Sequence, residues 1–170
     1  MRISVVGLGY LGAVHAASMA RLGHDVVGID VDRDRVAALG AGKAPFFEPG
    51  LDELLSEVTG TGRLTVSTDP SAAAGARVHF VCVGTPQRAG GNAADLTFVD
   101  AAVRALVAHL GPGDVVVGKS TVPVGTASRI ADMLRSTSLE PRLVWNPEFL
   151  REGFAVKDTL HPDRLVYGVP

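Results

Sequence analysis

The chain has 170 residues, about one domain's length and enough for a full hydrophobic core. Hydrophobic residues make up 46% and charged residues 20%, with a formal net charge of −2, so no basic excess points to nucleic acid. A single cysteine, Cys82, excludes an internal disulfide framework, and the five histidines show no metal-ligand spacing.

The first apolar run, Arg2 to Val6, is only a strand long and runs into glycines, which suits neither a signal segment nor a membrane span; a cytoplasmic setting is expected. It leads directly into Gly7-Leu8-Gly9-Tyr10-Leu11-Gly12. The first glycine permits a tight strand-to-helix turn, the second lets the backbone approach a pyrophosphate, and the third lets helix and strand pack closely. A helix rich in small residues follows, with Ala13, Ala16, Ala17 and Ala20 set for close approach to a sheet and Gly23 ending it. A second strand, Asp25 to Asp30, ends on a carboxylate suited to the two hydroxyls of an adenosine ribose. Strand, glycine turn, helix, strand and acid in this order predict a dinucleotide-binding βαβ unit, and the acid favours NAD over NADP, whose 2′-phosphate would meet like charge. Arg35 either reaches that ribose or its phosphate or lies on a solvated helix face.

A helix is expected after Asp32, ending near Gly40-Ala41-Gly42, and another from about Pro49. Further strands are expected at Leu64 to Val66, Val78 to Val83, Val115 to Lys119, Leu143 to Asn146 and, last, Arg164 to Tyr167, with helices over Asp95 to Leu110 and Gly125 to Leu134. This alternation predicts a Rossmann-type, doubly wound α/β fold with a mainly parallel sheet and helices on both faces, its crevice at the carboxyl ends of the strands. Three loops should converge there: Gly84-Thr85-Pro86, Ser120 to Thr126, and Asn146 to Gly153. Thr85 is a candidate cofactor contact, because Pro86 fixes a turn at the crevice. Cys82 lies in so apolar a run that a buried, inert thiol is expected. Lys119 reads as a surface charge, and Glu148 and Glu152 as either functional carboxylates or ordinary solvated ones.

At these segments, together with Glu48-Pro49-Gly50-Leu51, the chain resembles the UDP-glucose/GDP-mannose dehydrogenase family over essentially its whole length. That resemblance implies an NAD-dependent oxidation of a nucleotide sugar at its C6 hydroxyl, carried to the carboxylate in two hydride transfers through a cysteine-bound thiohemiacetal and thioester. It implies that Glu148 assists thioester hydrolysis, Thr121 holds the water and also meets the cofactor, and Glu152 lies between nicotinamide and sugar. Phe149, Leu150 and Arg151 would cover the sugar nucleotide, while Gly7, Gly9, Tyr10, Leu11 and Gly12 would cradle the cofactor. The ending His161-Pro162-Asp163-Arg164-Leu165-Val166-Tyr167-Gly168 is most similar to members acting on UDP-glucose, with GDP-mannose or a UDP-N-acetylhexosamine as the alternative substrates. Phe47 stands where the family usually has tyrosine or valine. The family's nucleophile lies in a Gly-Gly-x-Cys-Phe-Pro-Lys-Asp segment that this chain lacks, and its catalytic lysine is also absent. Residues 1–170 are therefore expected to form the NAD-binding part of an enzyme whose central helix and nucleotide-sugar domain are not in this chain. The parent is expected to be a homo-oligomer without membrane or nucleic-acid partners, and the chain alone to bind NAD without turnover. A non-catalytic NAD-sensing module is the reading of another class.

Overall fold

A computed structural model describes residues 1–169. Six strands form one parallel sheet: β1 (Arg2–Val6), β2 (Asp25–Ile29), β3 (Leu64–Ser67), β4 (Val78–Val81), β5 (Val115–Gly118) and β6 (Arg142–Trp145). Their spatial order is β3-β2-β1-β4-β5-β6, the doubly wound order, so the direction of winding reverses between β1 and β4. Register places Val5 beside Gly28 and Phe80, with Val117 beside Phe80 in turn. Because side chains alternate across a strand, Ile3 and Val5 face one layer while Ser4 and His79 face the other.

The first layer packs α1 (Tyr10–Arg21) on β1 and β2, with α3 (Leu51–Gly60) against α1 and β3, burying Val5, Val14, Leu51 and Leu55 completely. Each such side chain removed from water stabilises the fold by about 1.5–3 kcal/mol. The alanines of α1 are all buried, as their small size predicts. The second layer packs α4 (Thr97–Val107) and α5 (Thr126–Arg135) on β4 and β5 through Val99, Val103, Val116, Ile130 and Leu134. The short α2 (Arg33–Gly40) starts at Asp32, whose carboxylate accepts from the Asp34 and Arg35 amides and so caps the helix.

The expected fold is present, with local differences. Helix α3 begins at Leu51 behind Gly50, α4 is shorter at both ends than expected, and α5 starts one residue later, at Thr126. Strands β4 and β5 stop at Val81 and Gly118, although the Cys82 and Lys119 amides still bond to Val6 and Val81 oxygens. The expected strand at Arg164 to Tyr167 does not form. Only Gly168 pairs with Trp145, through two antiparallel hydrogen bonds of 2.7 and 2.8 Å, and Leu165, Val166 and Tyr167 are exposed with no neighbouring strand to order them. Two elements were not anticipated: a 3-10 turn, Pro70–Ala73, capped by Asp69, and the six-residue α6 (Ala155–Leu160), which packs on α1. Among the described residues no helix is long and apolar enough to cross a membrane.

Candidate functional site

The glycine loop joins β1 to α1, and its three glycines answer to different neighbours. Gly7 has φ +90°, and a Cβ there would press within 2.7–2.9 Å of Val83. A Cβ on Gly12 would collide with the Gly7 carbonyl. At Gly9, by contrast, a Cβ would meet no protein atom within 4 Å, so the space beside that backbone is open. Helix α1 begins there with no side-chain cap and no acidic residue in its first turn. Its first amides therefore lack intrahelical partners and face the open cradle, the arrangement that receives a dinucleotide pyrophosphate. The buried carboxylate of Asp30 accepts from the Leu8 amide at 2.6 Å and the Asp32 amide at 2.9 Å. The same carboxylate that would hold the ribose thus also shapes the glycine loop. Arg35 is not on a free helix face: one guanidinium nitrogen lies 3.0 Å from both Asp30 oxygens. Leu11 is partly buried against the first layer.

The Tyr10 hydroxyl does not face the cradle. It donates at 2.5 Å to Glu48, which is only 5% exposed. Glu48 also accepts from the amides of Gly153 at 2.9 Å and Ala155 at 2.8 Å. One carboxylate therefore ties the cofactor loop to the start of α6, immediately after Glu152. Burial pushes the Glu48 carboxyl up, but the Tyr10 hydroxyl and the backbone donors more than offset this and hold it below its usual range. The tyrosine hydroxyl is pushed up to about 12, first by burial and then by that carboxylate.

At the other end of the crevice, the loops after β4 and β5 are laced together. The Thr85 hydroxyl donates to the Thr121 carbonyl at 2.8 Å, and the Ser120 hydroxyl to the Val83 carbonyl at 2.6 Å. Thr121 itself is exposed. Lys119 is not a surface charge: it is 6% exposed, and its ammonium lies 3.0 Å from Asn146 Oδ1 and 3.1 Å from Glu148 Oε2. The strand period explains this, since Lys119 shares parity with Val117 and so points to the α1 side of the sheet. Glu148 Oε1 accepts from the Phe149 amide at 2.7 Å. His15 of α1 is buried on the same side, edge-on to Phe80 with its Nε2 unpartnered; burial, then the Lys119 charge, drives its pKa down to about 3.

A cleft of about 570 Å³ opens beside these groups, lined by His15, Lys119, Asn146 and Glu148 through Arg151. Of the residues expected to cover a sugar nucleotide, Phe149 is half exposed beneath the Arg164 guanidinium, Leu150 packs on the first layer, and Arg151 pairs with Asp158 at 2.7 Å. The structure thus groups Glu148, Phe149, Leu150 and Arg151 on one cleft. Thr85 and Thr121 lie on neighbouring loops, and Glu152 is exposed next to the Glu48 tie. Cys82 is buried, and burial pushes its thiol up to about 12, where it is no nucleophile. Lys119, Asn146, His15 and the bonding role of Glu48 were not read as site features from sequence. A lysine directly after an apolar strand, within a motif, was the available signal.

Residues 1–170 match the NAD-binding domain of the UDP-glucose/GDP-mannose dehydrogenase family. The chain is 46% identical to a UDP-glucose 6-dehydrogenase of Rhizobium meliloti, covering 99% of this chain and 39% of that enzyme. It is 37% identical to a GDP-mannose 6-dehydrogenase of Pseudomonas aeruginosa, covering 99% and 41%. The solved UDP-glucose dehydrogenase of Pyrobaculum islandicum superposes with a TM-score of 0.92 at 42% identity, over 99% of this chain and 40% of that one. The chain therefore spans about two fifths of the length of these relatives. With its glycine cradle, its Asp30 and the match over its whole length, the chain belongs to the UDP-glucose/GDP-mannose dehydrogenase family, of which it is the NAD-binding domain.

Proposed function

We propose that this domain serves the oxidation of the C6 hydroxyl of UDP-glucose to the carboxylate of UDP-glucuronate, in the cytoplasm. The observation that carries the reading is Glu148, a carboxylate held in one orientation by Lys119 and by the Phe149 amide at the lip of the 570 Å³ cleft. An ionised carboxylate has about four acceptor positions, so two engaged contacts leave room for a water to be activated. In this reading Glu148 takes the proton of that water, Thr121 holds it, and Glu152 stands between cofactor and sugar. Phe149, Leu150 and Arg151 cover the nucleotide sugar. The amides at Gly9, Tyr10 and Leu11 and the Asp30 carboxylate, helped by Thr85 and Arg35, hold the NAD, which supplies the hydride acceptor when bound.

The choice of UDP-glucose is supported by the Rhizobium meliloti relative, and the GDP-mannose relative keeps that sugar nucleotide as the comparison substrate. With one buried cysteine and no other, residues 1–170 lack a thiol for covalent catalysis, so the isolated domain binds NAD without turnover. The nucleophile and much of the sugar pocket belong, in this reading, to further parts of a longer, oligomeric enzyme.

The test follows NADH absorbance with UDP-glucose, GDP-mannose and a UDP-N-acetylhexosamine, using both the 170-residue chain and the complete protein. The expected result is NADH only from the complete protein and fastest with UDP-glucose. Preference for another sugar nucleotide overturns the substrate. No NADH from any of them, with NAD still bound, leaves an NAD-sensing module instead.

A further inference from the structure

We infer that Lys119 is a positioning residue for Glu148, fixing the carboxylate that serves the hydrolytic step; the inference rests on the proposed role of Glu148. Lys119 leaves β5 on the α1 side of the sheet, and its ammonium is almost wholly removed from water. Isolation of a charge there is costly unless it is paired and hydrogen-bonded. The structure supplies both partners. Asn146 Oδ1 accepts at 3.0 Å, while the Asn146 amide nitrogen donates to the Val166 carbonyl at 3.0 Å, which sets the orientation of the side chain. Glu148 Oε2 receives the second contact at 3.1 Å.

The result is a chain from Val166 through Asn146 and Lys119 to Glu148, each member fixed by the one before. The Glu148 side chain is 23% exposed against 7% for Lys119, so the ion pair runs from a buried ammonium to the lip of the cleft. A surface ion pair would contribute little and would swing freely. A buried ammonium anchored at its far side instead holds one carboxylate oxygen in place, while the Phe149 amide holds the other at 2.7 Å. Both oxygens keep a lone pair for a water. That is what a proton-accepting group needs, because misplacement by about 1 Å costs on the order of a hundredfold in rate.

The experiment compares Lys119→Met, Lys119→Arg, Glu148→Gln and the double variant Lys119→Met/Glu148→Gln in the complete dehydrogenase, with UDP-glucose and NAD. Lys119→Met is expected to lower kcat about a hundredfold with both KM values within about threefold. Lys119→Arg recovers part of the loss, and the double variant is no slower than Glu148→Gln alone, since two members of one unit do not add. A folded Lys119→Met enzyme with wild-type kcat overturns the inference, as does a double variant whose losses multiply. A second measurement needs no substrate and separates this inference from the choice of sugar: nuclear magnetic resonance of the ammonium protons of Lys119 in the 170-residue chain. Slowly exchanging protons that vanish in Glu148→Gln support the inference, and their absence in the wild-type chain overturns it whatever the enzyme oxidises. If Lys119→Met does not fold, Lys119→Arg carries the kinetic comparison, with unaltered kcat as the contrary result.

Discussion

Two buried polar networks sit at opposite ends of the sheet and on opposite faces. At the amino end, Ser4 Oγ lies 2.8 Å from His79 Nδ1, and His79 Nε2 lies 3.3 Å from Asp114, which also accepts from the Gly111 amide at 2.5 Å and forms an ion pair with Arg77 at 2.7 Å. At the carboxyl end, Asn146, Lys119 and Glu148 form the second network. By composition the first is the more suggestive, because serine, histidine and aspartate in hydrogen-bonded order make up a hydrolytic triad. Yet Ser4 and His79 have no exposed surface, and their face is filled by Val27, Val81 and Val116. No substrate atom can reach that serine. The second network ends on a carboxylate with free acceptor positions beside a cleft. Only the second is placed to meet a ligand, so where a network terminates says more about access than the residue types inside it do.

The two ends should differ most in turnover. Glu148→Gln in the complete enzyme should lower kcat by about a hundredfold to ten-thousandfold, as expected for a lost general base, while NAD affinity and thermal stability stay near wild type. A variant with full turnover would return Glu148 to an ordinary solvated carboxylate. At the sealed end the effects should be reversed. His79→Ala leaves a cavity and strips Asp114 and Ser4 of a partner, so it should cost roughly 3 kcal/mol, or about 10 °C in melting temperature, without altering NAD binding. Thermal denaturation with and without NAD distinguishes the two ends, and an unchanged melting temperature would contradict the account of His79.

Stability should also depend on pH. His15 has a pKa of about 3 in the fold, against about 6.5 in an unfolded chain, and burial lowers His79 in the same direction. Between those values the unfolded chain binds protons that the native chain refuses, so stability rises with pH through that window. Each histidine contributes a slope of at most roughly 1.4 kcal/mol per pH unit, and the effect is flat above about pH 7. Glu48, held below its usual range, adds stability that is lost as pH falls through its lowered value. Urea titrations from pH 4 to 8 should show this fall, and His15→Gln should flatten it. The smallest expected signal is at Cys82: a thiol reagent should label the folded chain only as fast as the chain opens, and rapid stoichiometric labelling would refute its burial.

Much of this was written locally in the chain. The glycine loop, the strand that precedes it and Asp30 depend on neighbours within one βαβ unit, so their spacing is enough to predict the strand-turn-helix-strand arrangement that the structure shows. Helix α6 was not legible, because the Gly153 and Ala155 amides at its start are held by Glu48 from more than a hundred residues away and the residue before it, Phe154, offers no side-chain cap. The apolar Leu165 to Tyr167 stretch looked like a strand, but strand formation needs a partner edge, and only Gly168 finds one. The burial of Lys119 is not legible locally, because its residue type argues for solvent, whereas its parity on β5 and the partners Asn146 and Glu148 place it inside. Pairing across loops that are distant in sequence is the part of the site that local pattern does not encode.

The NAD site proposed for this chain rests on the open cradle at Gly9 and the carboxylate of Asp30. Calorimetric titration of the 170-residue chain with NAD and with NADP tests it directly. Arg35 already lies against both Asp30 oxygens, so a 2′-phosphate would have to displace that pair and face the bared carboxylate. Measurable NAD binding is expected, with NADP weaker by about tenfold or more and the difference reduced in Asp30→Asn. Equal or tighter binding of NADP to the unaltered chain would contradict it.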